Sequence, residues 1–218
     1  WINMERDKRE LKCEIEEQFK EEKSKFQDAY NKYVNIRKGE LMNSLVDALE
    51  IGYANNTVYY VMAYSEGESY SKWEEKNRVN PDRRKSLKDF FEMVDQISAV
   101  IEKIHNENIL YLDLKPENIW VEKGTQSIVK LFDFDTSIDL KDIREMSEKI
   151  NEIAYSQGYA APEMIWEEVD DWGSWTDIYS IGVLVYKRLY DQLPKPMVGT
   201  WGYKFDYENL KESYPSIQ

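Results

Sequence analysis

One cysteine, Cys13, and one histidine, His105, are all that this chain of 218 residues has of either type. A lone thiol can form neither an intrachain disulfide nor a cysteine-built zinc site, so a reducing, cytoplasmic setting is expected. No uncharged apolar run approaches the ~20 residues needed to span a bilayer as a helix, and no signal-peptide pattern stands at the start. Basic residues are scarce: 29 Lys and Arg face 42 Asp and Glu, a net charge of −13. Such a balance argues against a counterion-release grip on nucleic acid and against an electrostatic hold on an anionic membrane. An anionic cofactor would bind only at a local cationic or metal-filled site. The nine glycines never fall at a G-x-G-x-x-G spacing, so no phosphate-covering loop of that type lies between Trp1 and Gln218, and one is looked for upstream. What remains is ample for folding, because 42% hydrophobic and 14% aromatic residues can bury a sizeable core in one or two compact domains.

From Glu5 to about Ile36 the apolar residues Leu11, Ile15, Phe19, Phe26, Tyr30 and Tyr33 recur at helical spacing within a charge-dense stretch, predicting a long amphipathic helix. Two runs rich in β-branched and aromatic residues, 44–53 and 57–64, flank Ala-Asn-Asn and read as an antiparallel hairpin. The regime changes near Ser65 to Glu68. A buried helix is expected over 86–105, with Ser86 as N-cap and Leu87, Phe90, Phe91, Val94, Ile97, Val100, Ile101 and Ile104 on its apolar face. Short strands are expected at 109–112, 118–121 and 127–134. A third apolar helix is expected over 177–190, ending before Leu193-Pro194.

Between those strands the sequence reads Asp113-Leu-Lys115-Pro-Glu-Asn118, with Asp133 later at the end of a strand-like run. Phosphoryl transfer needs a divalent cation on oxygen ligands, a carboxylate beside the incoming hydroxyl and a cation near the moving phosphate. Asp113 can take or orient the hydroxyl proton, Lys115 can neutralise charge on the phosphate, and Asn118 and Asp133 can offer oxygens to a metal. Taken singly, the aspartates could be strand-end caps and Asn118 a turn residue.

Their order and company decide between those readings. YLDLKPEN (111–118), Asp133-Phe134-Asp135, Ala161-Pro162-Glu163 and Asp177-Ile-Tyr-Ser-Ile-Gly182 resemble, in order, the catalytic loop, the DFG and APE motifs and the long buried helix of the eukaryotic-type protein kinases. Lys115 with Ser156-Gln-Gly-Tyr159 matches the Ser/Thr-directed members. TVYYVMAYSEG looks like the strand and hinge that meet adenine, which implies Met62 as gatekeeper, backbone contacts from Ala63 and Ser65, and Trp120 on the pocket floor. Glu22 is implied as the helix partner of the ATP-anchoring lysine, because Phe26 four residues on gives the inward contact; Glu14 and Glu21 compete. Trp1-Ile-Asn3 resembles the family's residues just after that lysine, so the lysine is expected before the first residue, and the family's last helices are expected beyond Gln218. Tyr111 and Leu112 replace the usual His and Arg, Asp135 replaces a glycine, and His105 reads as a packed structural residue.

The resemblance implies an α/β (α+β) two-lobe fold, with part of the small lobe at 1–65 and a mostly helical large lobe at 66–218. It implies transfer of the ATP γ-phosphate, with Mg2+, to a Ser or Thr hydroxyl of a protein substrate; Asp113 and Lys115 would be catalytic, and Asn118 and Asp133 the metal ligands. Two alternatives stand beside it. One is a pseudokinase that binds nucleotide or scaffolds without transfer, suggested by Asp135, Trp120 and the absent glycine loop. The other is a small-molecule phosphotransferase of kinase-like fold, which leaves Lys-Pro-Glu-Asn and Ala-Pro-Glu unexplained.

Overall fold

The computed structural model describes residues 2–37, 43–54, 57–124, 128–143, 156, 158–196 and 203–204. Trp1, the side chains of Leu11 and Ile15, and residues 205–218 with the C-terminal end lie outside the described residues.

The first helix, α1, runs Ile2–Ile36. Over its last three turns the periodic residues turn inward to different depths, Tyr33 buried and Phe26 and Tyr30 half-buried, and Ala29 and Ile36, outside the expected stripe, are buried with them. The hairpin comes next as β1 (Ala48–Ala54) and β2 (Thr57–Met62), paired antiparallel with a register shift between Ala48 and Glu50. Before it, Leu45 bridges Leu131 in parallel and is fully buried, which ties the hairpin's root to the strand that ends two residues before Asp133.

Past the hairpin the structure adds an element that the sequence pattern does not reveal. After the short β3 (Gly67–Ser69), helix α2 (Tyr70–Arg78) packs Tyr70, Glu74 and Asn77 inward. Helix α3 (Arg83–Asn106) begins three residues before the expected start, because Asp82 caps it by accepting the Lys85 N–H at 3.0 Å. Ser86 is therefore no cap. It is buried in the first turn and donates to the carbonyl of Asn77 at 2.8 Å. The α3 stripe is otherwise as the spacing predicts, with Phe90, Ile97, Val100, Ile101 and Ile104 buried; Phe91 faces solvent and Met93 takes the inner place.

The remaining strands are short. β4 (Ile109–Leu110) pairs with β7 (Ile138–Asp139), and β5 (Ile119–Glu122) lies between β3 and β6 (Ile128–Leu131). Gly67 has a steric reason: a Cβ there would stand 2.3 Å from the Val121 carbonyl oxygen. The short α4 (Pro162–Ile165) precedes α5 (Ser174–Tyr190), which buries Ile181, Val183 and Leu184 against the α3 core. A last pair, β8 (Lys195–Pro196) and β9 (Tyr203–Lys204), closes the described chain. Helices segregated from small antiparallel sheets make this an α+β fold. No helix among the described residues is long and apolar enough to cross a membrane.

Candidate active site

Asp177 organises the loop from below. Its side chain is fully buried in the first turns of α5. It accepts the Tyr111 N–H at 2.9 Å and the Leu112 N–H at 2.7 Å, and shares a 2.7 Å hydrogen bond with His105 Nε2. Helix α5 starts before Asp177, at Ser174, where the Gly173 N–H donates to Thr176 Oγ1 at 3.2 Å, so Asp177 anchors the loop and does not cap the helix. The anchor holds an unfavourable backbone, since Leu112 has φ +65°, a conformation costing on the order of 1–3 kcal/mol for a bulky residue. That bend ends strand β4 at Leu110 and delivers the next residues to the cleft.

There three side chains meet the carboxylate of Asp113. Asp113 accepts hydrogen bonds from Lys115 Nζ at 2.6 Å, Ser156 Oγ at 2.6 Å and Asn118 Nδ2 at 2.8 Å. Lys115 Nζ also donates to Ser156 Oγ at 2.9 Å, and Asn118 Nδ2 to the Asp113 carbonyl at 3.0 Å. Sequence spacing brings Asp113, Lys115 and Asn118 close; only the fold adds Ser156, 43 residues from Asp113. Gly158, at φ +89°, makes the turn just after Ser156.

Asp133 does not end a strand as expected but stands two residues past β6, next to an aromatic column. The Phe134 ring meets Tyr111 and Tyr33 edge-on, each at 5.0 Å between centroids. Tyr111 Oη donates to the Phe132 carbonyl at 2.6 Å. Burial pushes the Tyr111 phenol far above its ordinary pKa, and the charges of Asp133, Asp113 and Asp177 push it the same way. All three carboxylates therefore lie within electrostatic reach of one buried ring. Asp133 itself has φ +67°, and its Oδ1 accepts the Asp135 N–H at 3.3 Å, a local turn of the kind Asp favours.

Of the residues implied to meet nucleotide, Met62 lines a cavity, which the implied metal ligand Asp133 lines as well, together with Ala29, Tyr33, Tyr60 and Asp135. Ala63 comes directly after Met62 with its N–H donated to the Asp47 carbonyl at 2.7 Å, leaving its carbonyl for a ligand. Ser65 Oγ donates to Glu122 at 2.7 Å, so its backbone is the part left to a ligand. Trp120 lies on β5, and its indole nitrogen is so near Gly67 that a Cβ there would stand 2.6 Å away. The side chain of Glu22, like those of Glu14 and Glu21, lies outside the described residues. Phe26, expected to make an inward apolar contact, stacks on Tyr60 at 4.0 Å, and Tyr33 meets Phe134.

Tyr60 is a residue that the sequence pattern does not single out, although it shares the Met62 face of β2 by strand alternation. Its hydroxyl lies 2.7 Å from the Phe26 carbonyl and 3.4 Å from Asp135 Oδ1. Asp135 is pushed up to about 6, by partial desolvation of its carboxyl first and the Asp133 charge second. A carboxyl with a raised folded pKa stabilises the fold while protonated, fully below its unfolded pKa near 4, and loses that contribution as pH rises through about 6. Asp135→Asn is thus expected to gain stability relative to the parent between pH 4 and pH 7, read as the pH dependence of thermal unfolding without nucleotide or metal.

Asn118 commits Nδ2 to Asp113, so Oδ1 is the atom it can turn to a cation. Together with the Asp133 carboxylate it would offer a cation two hard oxygen donors, a set that would suit Mg2+, which keeps waters and phosphate oxygens as its other ligands. Among the described residues no group of three or more His, Cys, Asp and Glu forms a metal cage. A cation here would therefore need phosphate oxygens to complete its shell.

A carboxylate, an ammonium and an amide thus meet at Asp113 on an α+β frame. Residues 7–211 match the protein kinase domain model, and the chain belongs to the protein kinase family. It is 27% identical over 161 residues to serine/threonine-protein kinase ULK3 of Rattus norvegicus, covering 74% of this chain and 32% of that protein. With serine/threonine-protein kinase kin-29 of Caenorhabditis briggsae it shares 30% over 174 residues, 79% of this chain and 19% of the relative. SNF1-related protein kinase catalytic subunit alpha KIN12 of Arabidopsis thaliana is 30% identical over 164 residues, 75% and 28% of the two chains. The chain spans no more than about a third of the length of these relatives.

Proposed function

We propose that this domain transfers the γ-phosphate of ATP to a Ser or Thr hydroxyl of a protein. The observation that carries the reading is the Ser156 hydroxyl, held 2.6 Å from the Asp113 carboxylate and 2.9 Å from the Lys115 ammonium. The loop thus already seats an alcohol between a base and a cation, which is the arrangement an acceptor hydroxyl needs. In the proposed step the acceptor oxygen bonds to the γ-phosphorus while the bond from that phosphorus to the bridging oxygen of ADP breaks. The hydroxyl proton passes to Asp113, and Lys115 offsets charge on the transferred group. Asn118 and Asp133 would hold Mg2+, which supplies charge neutralisation at the phosphate oxygens. Met62, the backbone of Ala63 and Ser65, and Trp120 would receive the adenine.

Leu112 bears on regulation. It is 3% exposed and packed among Leu110, Ile138 and Met164, so the position where the family's usual Arg would pair with a phosphate offers only apolar surface. Transfer is therefore expected to persist in full after phosphatase treatment, measured as the rate per molecule before and after; loss of activity on dephosphorylation would contradict this.

A second reading, a pseudokinase that binds or scaffolds without transfer, is favoured by Tyr60 and Asp135 crowding the cavity beside Asp133. Thermal-shift titration of the full-length protein with Mg-ATP, run beside a transfer assay, separates the two. Binding with transfer supports the first reading, and binding without it the second.

A further inference from the structure

We infer that Lys32 is a positioning residue, one that fixes the Asp133 loop from helix α1. The inference rests on the reading of Asp133 as a metal ligand. Lys32 Nζ donates to the main-chain carbonyl of Ser137, four residues past Asp133 and 105 residues from Lys32 in sequence. Burial lowers the pKa of this lysine, while the charges of Asp142, Asp139 and Asp28 oppose that lowering. Ordering a long side chain and partly desolvating its ammonium is costly, and a surface lysine would stay in water unless the contact offset that cost.

The carbonyl it reaches belongs to a well-tied turn. Ser137 returns both its N–H, at 3.1 Å, and its Oγ, at 2.6 Å, to the carbonyl of Phe134. Phe134 is in turn wedged between Tyr33 and Tyr111. Consecutive residues of α1 thus grip the loop in two ways: Tyr33 by its ring on Phe134, and Lys32 by its ammonium on Ser137. On the opposite flank Tyr60 reaches Asp135 from β2. The Asp133 backbone at φ +67° lies inside that grip, and a residue in a sparsely populated conformation persists only where its surroundings over-determine it. Losing the Lys32 contact frees the C-terminal side of the loop while leaving the aromatic column in place.

The test is hydrogen exchange of the full-length protein, comparing the parent with Lys32→Met, which keeps the aliphatic stem, and Lys32→Arg, which keeps the charge. The expected result is at least tenfold faster exchange of the amides from Phe134 to Asp139 in Lys32→Met, with α3 amides from Phe90 to Ile104 unchanged and protection retained in Lys32→Arg. Exchange within twofold of the parent across 134–139, or a uniform rise that includes α3, would overturn the inference. In the transfer assay Lys32→Met is expected to lower kcat about tenfold with KM for ATP within twofold. A parent protein without any transfer would count against the proposed function alone, since the exchange result does not depend on it.

Discussion

Asp113→Ala is expected to lower kcat for phosphoryl transfer by about 10²–10⁴-fold, the range attributed to a positioned general base, with little change in the affinity for Mg-ATP. The hydrogen bonds around Asp113 explain why the loss should be chemical rather than structural. Removing its carboxylate deletes one acceptor, but Lys115 and Ser156 keep their mutual bond at 2.9 Å and Asn118 keeps the backbone carbonyl of residue 113 at 3.0 Å. The loop backbone is held separately, by Asp177. Thermal unfolding of the variant should therefore stay near that of the parent while single-turnover transfer collapses. A variant that unfolds early, or one that keeps parental kcat, would speak against Asp113 as the base.

Asp177→Ala should produce the largest loss of stability, about 3–5 kcal/mol, because it leaves the Tyr111 and Leu112 amides and His105 without their buried acceptor. For a domain of this size that lowers Tm by on the order of 10 °C. Leu112 adds to the effect, since its amide bond to Asp177 is what holds it at φ +65°. Removing one of the three partners, as in His105→Ala, should cost clearly less. Equal losses for the two variants would mean that the carboxylate matters only as a partner for His105.

The helices are largely legible from sequence because their cores repeat at 3.6 residues: the α3 stripe from Phe90 to Ile104 and the α5 run through Ile181 and Leu184 keep that period. Helix α2 is not legible because it is nine residues long and buries Glu74 and Asn77, polar residues that break the apolar pattern. The shifted start of α3 has a comparable cause, since Asp82 and Ser86 are both able caps and only the packing of Ser86 against Asn77 decides between them. In the site, Asp113, Lys115 and Asn118 can be found because they lie within five residues of one another and bond locally. Tyr60 and Lys32 cannot, because each reaches its partner across 75 or 105 residues and carries no local signal of doing so; Ser156 stands out by resemblance, but its bond to Asp113 across 43 residues does not. Phe26 and Tyr33 share one apolar face of α1, and only the packing shows which partner each takes, Tyr60 for Phe26 and Phe134 for Tyr33.

The measurement that tests the central claim most directly is transfer of label from γ-labelled ATP to a protein Ser or Thr by the full-length protein, with and without Mg2+, beside the Asp133→Ala variant. The account predicts Mg2+-dependent incorporation that falls to background in Asp133→Ala. Absence of incorporation by the parent, or incorporation that survives Asp133→Ala, would contradict it.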